Sequence, residues 1–580
     1  MAGVQHATAV TLTAIELEDQ ALGDWPRRLL HVPSMTSHEW QPGNIYGLVR
    51  EPTYNALTYT WGRWRLGDSE QPWVKAIRIQ GVSWEIPRID PRRFTAAQFA
   101  SVIQKATQSV PQWKKPGVDI SEEIEYLWLD MACIDQRGSN PKSAAEIGRQ
   151  LPIFKNARQV FSWLHELPSV VLGRVLTEVD RMTDELPNLA ASRSAPAPVL
   201  NAIYQNLSLI LDDPWFSSLW TLQEAFLRPD CILFSKEGKT RITTLGSGAV
   251  RHDTFLDLLG CCENVLFCES SSLPEPFGKT VSLVKEKGLA AVLTFSALAV
   301  YTATSHRTSI KDEDRIYGIQ QVFGFRLGTS SPLHTPGTQY TREQLEIQLG
   351  EQLLRNHPVL SQMHVFTEPA REGRAFLVTP NSTVPTGLRG FVRSDIAPAT
   401  TECKEIPLVT LSVRYVESSP WGYFNGRVCA FPQLREACER VEGHSLWESR
   451  FDETHNYLVL EPDVSPELAS SPASSSSGYV SVPRGHPQRN LARWFAEAFQ
   501  ERNRFFVLLL GLRDTDDQRV VLGVLMISRQ KQNFTYYHRV GLCWWDATLT
   551  EIGGERVPGL DYGTLMGRNG VWEKRHGYFG

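Results

Sequence analysis

The stretch EYLWLDMACIDQ at 125–136 is almost wholly apolar in its middle, and one acid, Asp130, interrupts it. A near-continuous apolar run suits a strand covered on both faces, as in the interior of a parallel sheet. Its surroundings read consistently with that. YNALTYTW at 54–61 has the β-branched and aromatic content of a strand ending at Gly62. FTAAQFASVIQKATQ at 94–108 carries helical periodicity with Thr95 as an early cap. AAEIGRQLPIFKNA at 144–157 reads as a helix kinked at Pro152, and QVFSWL at 159–164 as the next strand. Strand, helix and strand in succession predict an α/β domain whose sheet is mostly parallel and flanked by helices. AIRIQGVSWEI at 76–86 reads as a hairpin turning at Gln80-Gly81.

A chain of 580 residues is too long for one hydrophobic core, so several domains are expected. We divide it into an N-terminal segment (1–49), an α/β core (50–240) and a mainly helical extension (241–357). A β-rich region (358–464), a Ser-rich linker or loop (465–479) and a C-terminal α+β region (480–580) follow. LAAVLTFSALAVY at 289–301 is the longest apolar stretch, shorter than the ~20 residues of a membrane helix, and reads as a buried core helix. No membrane span is expected. The first 20 residues lack a basic leader followed by an apolar block, so they do not read as a signal peptide. Nine cysteines without a CxxC pair are expected to be reduced core thiols of a cytoplasmic protein. No metal is expected. The formal net charge of -5, with no basic run, argues against nucleic acid as a partner.

Several chemistries lack their motif. KEGKT at 236–240 has no upstream glycine to make a phosphate-binding loop, and LGSGA at 245–249 fails the spacing of a nucleophile elbow. HExxH, GxGxxG after a strand, and an Asp-rich calcium loop are absent from the sequence. The acids left for consideration are Asp130, Asp135 and Glu224. Asp130 fits either a ligand crevice at strand carboxyl ends or a helix cap.

Glu224 lies in DDPWFSSLWTLQEAFLRPD at 212–230, which reads as a short amphipathic helix. At about 100° per residue, Trp215, Phe216, Leu219, Trp220, Phe226 and Leu227 share one broad arc. Gln223 falls inside that arc, and Ser217, Thr221 and Glu224 form a polar strip beside Trp220. Two readings fit: a hydrogen-bonded core Gln beside a solvated Glu, or a carboxylate at the lip of an aromatic-floored pocket.

Four segments, YNALTYTWG, LWLDMACIDQ, LWTLQEAFL and SHRTSIKDEDRIYGI, stand in the order seen in the fungal heterokaryon incompatibility domain, HET. The resemblance covers roughly residues 50 to 325. It departs at Thr58, where the family usually has Ser, at Ala132, and at Ser218, where an Arg is usual. The resemblance implies a role in non-self recognition between fused fungal cells and in the programmed cell death that follows. A protein partner or self-association is expected with it. HET is also similar to the Toll/interleukin-1 receptor domain, TIR, which implies a flavodoxin-like core. TIR enzymes that cleave NAD often carry Trp-Cys-x-x-Glu with a catalytic Glu, and Trp220, Thr221 and Glu224 share that spacing. The implied site is catalytic Glu224 in a pocket of Tyr59, Trp61, Asp130, Asp135, Ser217, Trp220, Thr221 and Gln223, acting on NAD as substrate with no bound cofactor. The alternative is a non-catalytic HET scaffold that binds a partner through its C-terminal region.

Overall fold

The computed structural model of the chain describes residues 14–108, 124–135, 137, 140–192, 195–244, 250–270, 273–332, 334, 337–392, 403–434, 459–463, 505–515, 518–531, 534–546, 549–552, 555–558 and 572–580. The Ser-rich stretch 465–479 lies outside them. Packing divides the chain into two compact units, 1–290 with 306–341, and 291–305 with 342–580.

The first unit is built on an eight-stranded sheet. Four strands come early: β1 (Arg28–His31), β2 (Thr36–Gln41), β3 (Ile45–Tyr46) and β4 (Val49–Arg50). The other four are β5 (Tyr54–Thr58), β6 (Tyr126–Trp128), β7 (Val160–Trp163) and β8 (Ile232–Phe234). Their order is β4-β3-β2-β1-β6-β5-β7-β8. Strands β6, β5, β7 and β8 run parallel, whereas β1 to β4 form an antiparallel meander that joins the parallel set through β1 and β6. The sheet is therefore mixed, and the expectation of a mostly parallel one is corrected. The physical cause is connection length. Tight turns with Met35, Gly43, Asn44 and Gly47 at positive φ link β1 to β4, and links that short permit only antiparallel pairing.

The helices of this unit begin with α1 (Ala14–Leu22) and α2 (Ala96–Lys105), the second closed by a Thr95/Gln98 capping box. Next come α3 (Asp130–Cys133), α4 (Pro141–Ile147) and α5 (Gln150–Asn156). LWLDMACI is thus an inner strand only as far as Trp128; from Asp130 it turns into a helix, closed by the Cys133 N–H donating to the Leu129 carbonyl at 3.0 Å and the Ile134 N–H to the Asp130 carbonyl at 2.8 Å. An apolar run alone does not separate these outcomes. The break after residue 144 falls at Gly148-Arg149, where a Cβ on Gly148 would meet Ser330 Cβ at 2.9 Å. Pro152 sits in the first turn of α5, where its missing N–H costs nothing. The 76–86 segment forms no hairpin: Gln80 makes a single bridge to Thr36, and Gly81 takes φ +76 with the Ser37 carbonyl pressed against it.

Further along lie α6 (Ser169–Ala191), α7 (Ala197–Leu211) and α8 (Leu219–Leu227). The stretch before α8 is a separate 3-10 turn, Pro214–Ser217, with Ser218 extended between them, so the single helix read from sequence is two pieces. A two-stranded ribbon of β9 (Ile242–Thr244) and β10 (Val250–His252) precedes α9 (Phe255–Phe267) and α10 (Pro276–Glu286). The apolar stretch 289–301 is likewise two helices, α11 (Leu289–Leu293) and α12 (Ala297–Thr302), parted at Phe295 with φ +49. After α13 (Asp314–Tyr317) the first unit continues to residue 341, where the chain passes into the second. Among the described residues no helix is long and apolar enough to cross a membrane.

The second unit contains α12, α14 (Arg342–Asn356) and a small ribbon of β11 (Val365–Phe366) and β12 (Ser382–Thr383). Its sheet is formed by β13 (Lys404–Pro407), β14 (Thr410–Val416), β15 (Ser419–Ala430), β16 (Val459–Pro462), β17 (Phe505–Asp514), β18 (Arg519–Lys531) and β19 (Phe534–Asp546). A hairpin of β20 (Leu549–Ile552) and β21 (Glu555–Pro558) precedes β22 (Glu573–Phe579), which completes that sheet. Strand β15 pairs both β17 and β22, so β17, β18, β19, β22 and β15 close into a ring. This region is β-rich, as the sequence predicts. Its interior holds a buried ion pair: Arg539 Nε lies 3.0 Å from Asp463 Oδ2, Nη1 donates to Gln362 Oε1 at 2.9 Å, and Nη2 donates to the His364 carbonyl. Replacing Arg539 with Met is expected to destabilise this unit by roughly 3–5 kcal/mol in chemical denaturation, because Asp463 is left buried and uncompensated. The Arg539→Met/Asp463→Leu double variant should recover most of that loss.

Candidate functional site

Strands β5 and β6 are neighbours and parallel, so their carboxyl ends open on the same edge of the sheet, where α/β proteins place their ligand crevices. The chain leaving β5 supplies Tyr59, Thr60, Trp61, Gly62 and Arg63, and the chain leaving β6 supplies Asp130. Helix α8 crosses this edge with Trp220 and Glu224, one turn apart and on the same face. Residues 308–310 and Asp314 make the remaining wall. Together they enclose a cavity of about 380 Å³.

Hydrogen bonds fix each acid. The Thr58 hydroxyl donates to Glu224 Oε2 and accepts the Trp215 indole N–H at 2.9 Å. Burial is the main influence on Glu224 and raises its carboxyl to about 8; the Thr58 bond opposes this, and the charge of Asp130 adds to it. Asp130 Oδ2 accepts the Trp61 indole N–H at 2.6 Å. Burial raises Asp130 as well, against the hydrogen bonds of Trp61, Tyr59 and the Met131 amide. Asp314 is pushed up to about 6, mainly by burial, with Lys311 and the Trp220 indole acting the other way. Three carboxylates and three aromatic side chains therefore share one partly dry cavity.

The corner leading into α8 is held from the opposite wall. Arg307 is 2% exposed, and its guanidinium donates to three carbonyls: Trp215 and Ser218, each at 3.2 Å, and Lys287. Burial lowers it to about 9. Ser218 and Thr308 form a bridge, with the Leu219 N–H donating to the Thr308 carbonyl at 3.1 Å, so the wall at 308 is stitched to the start of α8.

Of the residues expected at the site, Tyr59, Trp61, Asp130, Trp220 and Glu224 line the cavity. Asp135, Ser217, Thr221 and Gln223 do not. Asp135 is bound by Arg137 and Asn140, and the Arg137 bond holds its carboxyl well below the usual range. Ser217 Oγ meets the Pro214 carbonyl and Arg63. Thr221 is buried against the Trp215 and Ser218 carbonyls. Gln223 is wholly buried, donating to Gln150 Oε1 at 2.5 Å and accepting the Gln321 N–H at 3.0 Å. Sequence reasoning missed Thr58 and Trp215 as supports of Glu224, and Arg63, Gln150, Ser218, residues 308–310 and Asp314 as lining. SHRTSIKDEDRIYGI contained the last of these, but nothing in its spacing says where it packs. Among the described residues no group of three or more His, Cys, Asp or Glu is placed to hold a metal ion.

Glu224 binds its proton more tightly in the folded chain than its ordinary value of 4.5, so folding stability falls as pH rises from about 4.5 towards about 8. Glu224→Gln should flatten that decline, measured as urea midpoints at pH 5 and pH 8.5, with the variant the more stable of the two proteins at the higher pH.

No curated protein and no solved structure matches the chain. Residues 54–224 match the protein-family model described as Heterokaryon incompatibility protein (HET), a span that opens on β5 and ends at Glu224. The chain carries a HET domain.

Proposed function

We propose that this chain acts in a heterokaryon-incompatibility-type response, non-self recognition followed by cell death, and that its pocket does so by cleaving the nicotinamide–ribose bond of NAD. The HET domain supports the general role. The observation that carries the specific one is the convergence of Glu224 and Asp130 with Trp61 and Trp220 on a single cavity at the strand ends. Breaking the C1′–N bond sends its electron pair to nicotinamide and leaves an oxocarbenium-like ribose, which water then captures with loss of a proton. In its ionised form Glu224 stabilises the cationic sugar, and Asp130 or Glu224 accepts hydrogen bonds from the ribose hydroxyls. The aromatic walls exclude water and offer faces to the rings of the ligand.

The raised carboxyl fits this role once a ligand is bound. A pyridinium cation in the cavity favours ionised Glu224 and offsets its desolvation. Because the ionised form is the active one, kcat/KM should rise about tenfold per pH unit below about 8 and level off above it. The direct experiment incubates concentrated full-length protein with NAD and follows nicotinamide release. Glu224→Gln should lower the rate at least about 100-fold. Release that is unchanged in the variant overturns the role of Glu224. Absence of release at any protein concentration overturns catalysis and leaves the domain a non-catalytic binding module.

A further inference from the structure

We infer that Arg63 is the residue through which this pocket reads the phosphate of its ligand, so that the site takes a phosphorylated pyridine nucleotide in one orientation, ring inward and phosphate at the Arg63 rim. The inference rests on the nucleotide reading above and adds a specificity that the reading does not contain.

The charge layout carries it. Asp130, Glu224 and Asp314 line the cavity, and Arg63 is the one lysine or arginine among its lining residues. A phosphate placed among the three acids would meet like charge and buried carboxyls, so only the Arg63 side can accept it. Arg63 is also free to do so. Among the described residues its guanidinium has no carboxylate partner: Nη1 donates to the neutral Ser217 hydroxyl at 3.2 Å, and the group lies over the Trp64 ring at 5.6 Å. The neighbouring Arg93 is different, since its Nη1 is bound to Glu166. Burial and the charge of Arg93 both disfavour the charged form of Arg63, which an incoming anion would relieve. Thr308 lines the cavity together with Arg63, and its Oγ1 donates to the Ser217 carbonyl at 2.9 Å, which ties that wall to the residue Arg63 contacts. A planar guanidinium held near an aromatic ring and a single neutral hydroxyl retains a fork of N–H donors for two phosphate oxygens.

The test uses the full chain carrying Glu224→Gln, so that neither probe is consumed, and measures binding of nicotinamide mononucleotide and of nicotinamide riboside by calorimetry. The mononucleotide should bind at least tenfold more tightly than the riboside. Arg63→Gln should remove that preference by weakening the mononucleotide, and Arg63→Lys should restore part of it. Unfolding midpoints of the variants show whether each remains folded. If both probes bind equally before and after Arg63→Gln, the inference is overturned whatever NAD turnover shows. If the preference depends on Arg63 while the native chain releases no nicotinamide, the catalytic reading fails and the phosphate-reading role stands. Failure of both probes to bind overturns both.

Discussion

One hydroxyl joins the two halves of the site. Thr58 ends β5, Trp215 and Glu224 belong to the chain at and around α8, and the sequence separations are 157 and 166 residues. The Thr58 oxygen accepts a hydrogen bond from the indole N–H and its own O–H donates to the Glu224 carboxyl, which sets where α8 lies across the strand ends. A buried hydrogen bond contributes only about 1 kcal/mol net, but a stranded buried partner costs roughly 1–3 kcal/mol, and more when it is charged. The arrangement is therefore specified mainly by the penalty of every alternative. Serine, the residue seen in the resembling family, would keep the hydroxyl; threonine adds a methyl group that limits its rotamers.

Around that bond the protein holds charges where water reaches them poorly. Glu224, Asp130 and Asp314 are all raised chiefly by burial, and Arg307 is lowered by it. None of these groups is placed where its own folding energy is best. Perturbed groups gathered in one cleft are the usual signature of a site rather than of a core. Gln223 shows the contrast one residue away: it is equally polar, fully buried, and satisfied on both ends by Gln150 and Gln321, which makes it a structural strut between α5, α8 and the chain after α13.

Much of this frame was legible in the sequence, for identifiable reasons. Apolar continuity at 126–128 and 160–163 and the Thr95 cap are local signals, and they mark the parallel strands and α2 where the structure has them. The meander at 28–50 gave no such signal, since RLLH is short and only half apolar and Trp40 is the single apolar residue of TSHEWQ, so the mixed character of the sheet was hidden. Asp130 and Glu224 stood out as acids interrupting apolar runs. The polar strip beside Trp220 was misleading, because it assumed one continuous helix; the extended Ser218 turns Ser217 away, and Thr221 points at the corner it closes. Arg63, in the short 3-10 turn 62–64, and Asp314, at the start of α13, take positions that depend on long-range packing, for which periodicity carries no information.

The division into units has a genetic consequence. Residues 291–305 belong to the second unit although the first resumes at 306 and supplies the pocket wall from 308 to 314. No single cut separates the two. A chain ending at 290 loses the wall and Arg307, whereas one ending at 341 retains α12 with Leu298, Val300 and Tyr301, side chains wholly buried in the intact protein. The pocket is thus not a transferable cassette: recombination at any one point in this gene damages either the site or the core of its neighbour, and the two units are bound to be inherited together.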